Sequence, residues 1–163
     1  MIIRKATMKD LDMVSAVEAE CFPPAEAATK ESFAERLSVY GDHFLLLFDD
    51  ANRLISFVDG FVTDEKDLRD EMYADANLHN EEGAWQMIFG VNTIPSERRK
   101  GYAGLLLEMM IEEAKKQCRK GVVLTCKKEK IHYYAKFGFE DEGVSADSSH
   151  GGAVWHQMRI KFE

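Results

Sequence analysis

The segment from Ala84 to Cys126 constrains the fold more than any other part of the chain. A strongly apolar strand pattern over Ala84 to Asn92 leads into a short basic turn, Arg98-Arg99-Lys100-Gly101-Tyr102-Ala103-Gly104. A long helix pattern follows, in which Leu107, Met110, Ile111, Ala114 and Cys118 recur at helical spacing. Gly121 reads as the helix stop and Val122 to Cys126 as another buried strand. Strand, helix and strand in that order require a right-handed crossover between parallel neighbours.

The rest of the chain supplies antiparallel material. Ile2 to Lys5 reads as a short opening strand, and Thr7-Met-Lys-Asp10 as a capping box. Leu11, Val14, Val17 and Cys21 lie on one helix face, and Phe22-Pro23-Pro24 ends that helix. A second helix runs from about Thr29 to Tyr40. Phe44 to Phe48 and Leu54 to Thr63 form a hairpin across the turn at Asp49 to Asn52. Asp64 to Glu82 is a polar insertion, partly helical around Leu68 to Ala76. Ile131 to Phe137 is a short helix ended by Gly138, and Val154 to Lys161 is the last strand. The expected order is β-α-α-β-β-β-α-β-α-β. It gives an α/β chain with a mixed parallel and antiparallel sheet and helices on both faces. At 163 residues the expectation is a single domain over 1–163.

The net charge of −8 argues against non-specific nucleic-acid binding, which needs a dominant positive field. That charge is unevenly spread. Asp64 to Glu82 holds eight acids and two bases, whereas Arg98 to Lys136 holds eleven bases and four acids. No signal peptide or membrane-length apolar run is evident. Cys21, Cys118 and Cys126 lack metal-ligand spacing, so no metal site or disulfide is expected and a reducing cytoplasm is the expected compartment.

The basic turn opens a helix, whose first amides have no internal partner and point outward at the positive end of the dipole. Gly101 and Gly104 admit close approach, Ala103 obstructs little, and Arg98, Arg99 and Lys100 add positive charge. Those features suit a phosphate or pyrophosphate, although a short glycine turn is also found as a plain surface loop.

Arg98-x-x-Gly101-x-Ala103 resembles the [Q/R]-x-x-G-x-[G/A] signature of the GNAT acetyltransferase superfamily. Tyr134-Ala-Lys-Phe-Gly138-Phe139 resembles its second landmark, Tyr-x-x-x-Gly-Phe. The strand, two helices and hairpin of the first half are also similar, so the resemblance covers nearly the whole chain. The form of the second landmark is most similar to bacterial relatives of the arylalkylamine N-acetyltransferases. The resemblance implies a GNAT-like acyl-CoA N-acyltransferase fold and acetyl-CoA as cosubstrate. It implies transfer of the acetyl group to a primary amine of a small molecule. A protein or peptide N-acetyltransferase, and a catalytically silent acyl-CoA-binding domain, are the alternatives. A homodimer is a candidate assembly; neither nucleic acid nor a membrane is an expected partner.

The same resemblance implies the site. The pantetheine arm pairs with a strand edge near Phe89, Gly90 and Val91. The pyrophosphate rests on Lys100, Gly101, Tyr102, Ala103 and Gly104, with Arg98 and Arg99 nearby. Lys127, Lys128 and Lys130 are candidates for the 3′-phosphate. Tyr134 is the matched general acid for the departing thiolate, and Tyr133 is expected to pack elsewhere. The two strand histidines of the vertebrate arylalkylamine enzymes are replaced by Trp85 and Met87, so the base lies elsewhere: Glu26, His150, His156 or a chain of water. Phe22, Pro23, Pro24 and Trp155 are candidate acceptor contacts. Cys126 is either a buried small residue or a nucleophile.

Overall fold

The computed structural model describes residues 1–163. β1 (Ile2–Arg4) enters a capping box in which Asp10 Oδ2 accepts from the Thr7 amide at 2.8 Å. A 3-10 turn then leads into α1 (Leu11–Cys21). Thr29 Oγ1 caps α2 (Lys30–Tyr40), accepting from the Ser32 amide at 3.1 Å. The hairpin forms as expected from β2 (Phe44–Phe48) and β3 (Leu54–Asp59).

The expected strand over 54–63 breaks at Gly60, and β4 (Val62–Thr63) continues in a second sheet. A Cβ at Gly60 would lie 1.8 Å from the Met87 carbonyl oxygen, so the crossing has room only for glycine. The strand expected over 84–92 breaks in the same way into β5 (Trp85–Ile88) and β6 (Gly90–Thr93). The amides of Met87 and Phe89 donate to the carbonyls of Phe61 and Asp59 at 2.7 and 2.8 Å. These bonds carry the pairing through the bend.

α4 (Tyr102–Lys116) makes the crossover that brings β7 (Gly121–Cys126) parallel to β5. The helix stops earlier than its apolar spacing suggests. Cys118 lies beyond it, exposed and left-handed at φ 61°, and Gly121 opens the next strand instead of ending the helix. α5 (Ile131–Ala135) is also shorter than expected. β8 (Glu140–Val144) is an edge strand that the sequence does not announce, because it has no buried face. β9 (His156–Lys161) pairs with both β7 and β8; it begins after the exposed Val154.

The acidic insertion folds as α3 (Asp70–Ala74) and a 3-10 turn. Two buried arginines hold it down. Arg119 donates to the Glu81 and Gly83 carbonyls at 2.8 and 2.7 Å. Arg159 reaches Asp67 at 2.6 Å and Glu142 at 2.9 Å. No helix is long and apolar enough to cross a membrane.

Candidate functional site

β5 and β7 pair only as far as Ile88 and Leu124. Past that point β6 turns away to join β3, whereas Thr125 and Cys126 of β7 stay with β9. The two backbones diverge, leaving one edge of β6 without a strand partner. The resulting cleft has a volume of about 920 Å³.

The turn before α4 closes one end. Arg99 and Gly101 are both left-handed, at φ 67° and 86°, with open space around Gly101. Such a winding presents successive amides to one side. Gly101 provides no side-chain cap for α4, so its first amides are unclaimed by side chains. Arg98, Arg99, Gly101, Tyr102 and Ala103 line the cleft. Lys100 does not; its ammonium bonds to Glu97 at 2.6 Å. Gly104 does not either. A Cβ there would be 3.1 Å from the Phe137 ring, so this glycine makes room for the segment after α5 and not for a ligand. Free amides, nearby cations and an unpaired strand edge together fit the pyrophosphate and amide-bearing arm of a CoA thioester.

Phe89 and Val91 line the middle of the cleft, but Gly90 faces away from it. Tyr134 lines the opposite side with Cys126, and burial pushes its phenol well above the ordinary range, so it stays protonated. Tyr133 also lines the cleft, stacked edge-on against Phe137, contrary to the expectation that it packs elsewhere. Burial raises the Cys126 thiol to about 11, and its Sγ lies 3.6 Å from Met158 Sδ. At neutral pH that is a packed thiol, not a nucleophile.

The far end is built from two unlike walls. Ala25, Ala27, Ala28, Thr29 and Ser32 form one, between α1 and α2. Tyr73, His150 and Trp155 form the other. His150 stacks on Trp155 with centroids 4.1 Å apart, and Tyr73 Oη lies 2.9 Å from Thr125 Oγ1. Phe22 and Pro23 line the cleft; Pro24 is exposed outside it.

The expected proton acceptors separate. Glu26 lines the cleft but is paired with Lys127 at 2.8 Å. His150 lines it with Nδ1 3.4 Å from Asp70, and burial lowers its pKa. His156 lies outside, beside Asp141. Trp85 and Met87 are core residues of β5. Of the three lysines, Lys130 lines the cleft without a carboxylate partner.

Sequence reading missed a group beneath this centre: Glu18, Arg36, Tyr40, Asp59 and Asn92, all buried. Arg36 Nη1 donates to Asp59 Oδ2 at 2.9 Å and Arg36 Nη2 donates to the Tyr73 carbonyl at 2.9 Å. Glu18 Oε2 accepts from the Ala28 amide at 2.9 Å. Burial, then the neighbouring Asp59, push the Glu18 carboxyl up to about 7. A signal was available. Glu18 falls on the stripe of Val14, Val17 and Cys21, and Arg36 on that of Phe33, Leu37 and Tyr40. A charge on an apolar stripe is a buried charge.

A sequence profile described as the acetyltransferase (GNAT) family matches residues 11–139. Among solved structures, the loading GNATL domain of CurA from Lyngbya majuscula superposes with a TM-score of 0.84 at 15% identity, over 98% of this chain and 96% of that one. The GNAT-like decarboxylase GphF, in complex with isobutyryl-CoA, gives 0.82 at 17% identity over 99% of both chains. The ribosomal-protein-S18-alanine N-acetyltransferase of Escherichia coli gives 0.70 at 16% identity, over 98% of this chain and 92% of that one. At these identities the likeness is one of fold. No curated protein matches the sequence.

Proposed function

The chain belongs to the GNAT acetyltransferase family, with acetyl-CoA as cosubstrate, and from that premise we propose that it acetylates the free amino terminus of a peptide or protein. The observation that carries the acceptor class is the wall of small side chains, Ala25, Ala27, Ala28 and Ser32. It leaves a main chain room to lie against the cleft, which bulky side chains would prevent. The S18-alanine enzyme, which shares the fold, carries the same kind of acceptor in its name. The opposite wall of Tyr73, His150 and Trp155 supports a second reading, a small aromatic amine of the arylalkylamine kind. Decarboxylation, the activity in the name of GphF, has less support. The buried cation of this cleft, Arg36, is committed to Asp59, so it is not free to hold the carboxylate of a carboxyacyl group.

In this reading the thioester supplies an activated acetyl carbonyl and a sulfur leaving group. The turn from Arg98 to Gly104 receives the pyrophosphate on its amides. The side chains of Arg98 and Arg99 contribute charge, whereas Lys100 and Gly104 contribute only backbone. Lys130 faces the remaining phosphate. The free edge around Phe89, Gly90 and Val91 takes the pantetheine amides and orients the carbonyl, which a backbone amide there polarises. Tyr134, protonated and facing the cleft, donates to the departing sulfur.

The test is thiol release from acetyl-CoA with three matched acceptor sets: peptides with a free amino terminus, blocked peptides carrying lysine, and small arylalkylamines. Turnover highest with free amino termini is expected. A preference for arylalkylamines supports the second reading, and CoA binding without turnover of any amine overturns both.

A further inference from the structure

Acetylation requires an ammonium to lose a proton, and the side chains expected to take it are poorly placed. Glu26 is neutralised by Lys127, His156 is outside the cleft, and His150 is held in an aromatic stack with Asp70. We propose that Glu18 is the proton acceptor, a catalytic residue set in a polar chamber behind Gly90. This rests on the acetyl-transfer reading above.

Four elements build the chamber: α1 gives Glu18, α2 gives Arg36 and Tyr40, β3 gives Asp59 and β6 gives Asn92. They meet at the bare face of Gly90. A Cβ there would lie 2.7 Å from Asp59 Oδ1, 3.0 Å from Asn92 Nδ2 and 3.5 Å from Glu18 Oε1. Six buried polar side-chain atoms lack a hydrogen-bond partner in the protein, and all belong to these five residues. They are Glu18 Oε1, Arg36 Nε, Tyr40 Oη, Asp59 Oδ1 and both amide atoms of Asn92. Native folds pair nearly all such atoms with protein or ordered water, so six of them in one place mark a polar chamber with room for partners from water or substrate. Glu18 and Arg36 also line the cleft, so the chamber meets the acceptor end through them.

The charges are uneven: two acids face one base. Arg36 bonds directly to Asp59 and not to Glu18, and Glu18 alone of the two acids lines the cleft, so Glu18 is the member placed to exchange a proton with a substrate there. Its charged or titratable surroundings are Asp59, which favours the neutral form, and Arg36, which opposes it. Tyr40 and Cys21 lie nearby, and burial holds both protonated.

Glu18 carboxylate takes one proton from the ammonium and becomes the neutral acid. The amine nitrogen then bonds to the acetyl carbon as the carbon–sulfur bond breaks. Tyr134 gives its proton to the sulfur and is restored by the second proton leaving the nitrogen. Glu18 returns its proton to solvent, so each turnover releases one proton.

Two measurements decide it. In ¹³C-carboxyl spectra of glutamate-labelled protein, the Glu18 signal, assigned by its loss in Glu18→Gln, is expected to titrate within about a unit of 7. A midpoint outside the range of about 6 to 8 overturns the proposal even if no acceptor is found, so it fails separately from the acetyl-transfer reading. In turnover, Glu18→Gln keeps an oxygen for the Ala28 amide but no base. Its kcat is expected to fall about 100-fold or more, with loss of the acidic limb of the kcat/KM profile. Wild-type-like rates with that limb intact, or its transfer to His150→Gln, overturn the proposal.

Discussion

Replacing Glu18 by Gln should make the protein more stable at alkaline pH while disabling it. The Glu18 carboxyl sits at about 7 in the fold against an ordinary 4.5. A raised folded value means a contribution fully present below the unfolded value and lost as pH rises through the folded one. The gap of about 2.5 units, at about 1.4 kcal/mol each, amounts to about 3.5 kcal/mol lost by the wild type between acid and alkaline pH. Gln has no charge to desolvate and still accepts from the Ala28 amide. At about pH 8.5 the variant should therefore be more stable by up to about 3.5 kcal/mol, a melting shift of roughly 7–14 °C for a chain of this size. At about pH 5.5 linkage leaves less than half of that difference. Calorimetric melts of both proteins at the two pH values, without acetyl-CoA, read it directly. A variant that melts at or below the wild type at alkaline pH, or by the same margin at both, refutes the reasoning.

Tyr134→Phe should lower kcat about 100-fold while CoA affinity stays within about threefold, and undiminished turnover removes Tyr134 as the acid. Arg36→Met leaves Asp59 buried without its 2.9 Å partner and should cost about 3–5 kcal/mol by denaturant unfolding. Burial already raises the Asp59 carboxyl, so that loss should grow as pH rises; a loss under about 1 kcal/mol contradicts the reading. Arg98→Gln with Arg99→Gln should weaken CoA binding by calorimetry, and the deficit should shrink at about 0.5 M salt, whereas a salt-independent deficit points to damaged backbone instead.

How legible each part was follows from what local sequence records. The crossover was legible because strand, turn and helix each carry their own periodicity between Ala84 and Cys126. The breaks at Gly60 and Phe89 were not. Buried on both faces, these strands show no alternation, so nothing local marks a change of sheet. β8 was hidden for the opposite reason: Glu140-Asp141-Glu142-Gly143 has no apolar face, and pairing with β9 alone makes it a strand. The turn at Arg98 to Ala103 was legible through its motif. The role of Gly104 is not legible, because a glycine looks the same in sequence whether it admits a ligand or a Phe137 ring. Glu26 drew notice as an acid in the right loop, yet Lys127, distant in sequence, neutralises it. Glu18 and Arg36 lie on apolar stripes, and a helical periodicity built from the apolar residues alone passes over the charges it buries.

The strength of the proposed base bears on the acceptor. A peptide α-amine has an ordinary pKa near 8 and a lysine side chain one near 10.4. Handing a proton to a carboxyl of about 7 is uphill by about one unit from the first and about 3.4 units from the second. Those steps cost roughly 1.4 and 4.6 kcal/mol, a rate difference of about 250-fold if nothing else in the site distinguishes the two. An alkylamine on a short aromatic side chain falls near lysine in basicity, so it meets the same barrier. The chamber thus favours the acceptor that the small-residue wall favours, through an independent property. Burial that raises Glu18 to about 7 makes it basic enough for an α-amine while leaving much of it ionised at neutral pH. An ordinary exposed glutamate, near 4.3, would face nearly 4 units from the same amine. The stability lost by burying Glu18 is therefore close in size to the proton-transfer barrier it removes, which is why the uncharged Glu18→Gln variant that strengthens the fold would silence the site.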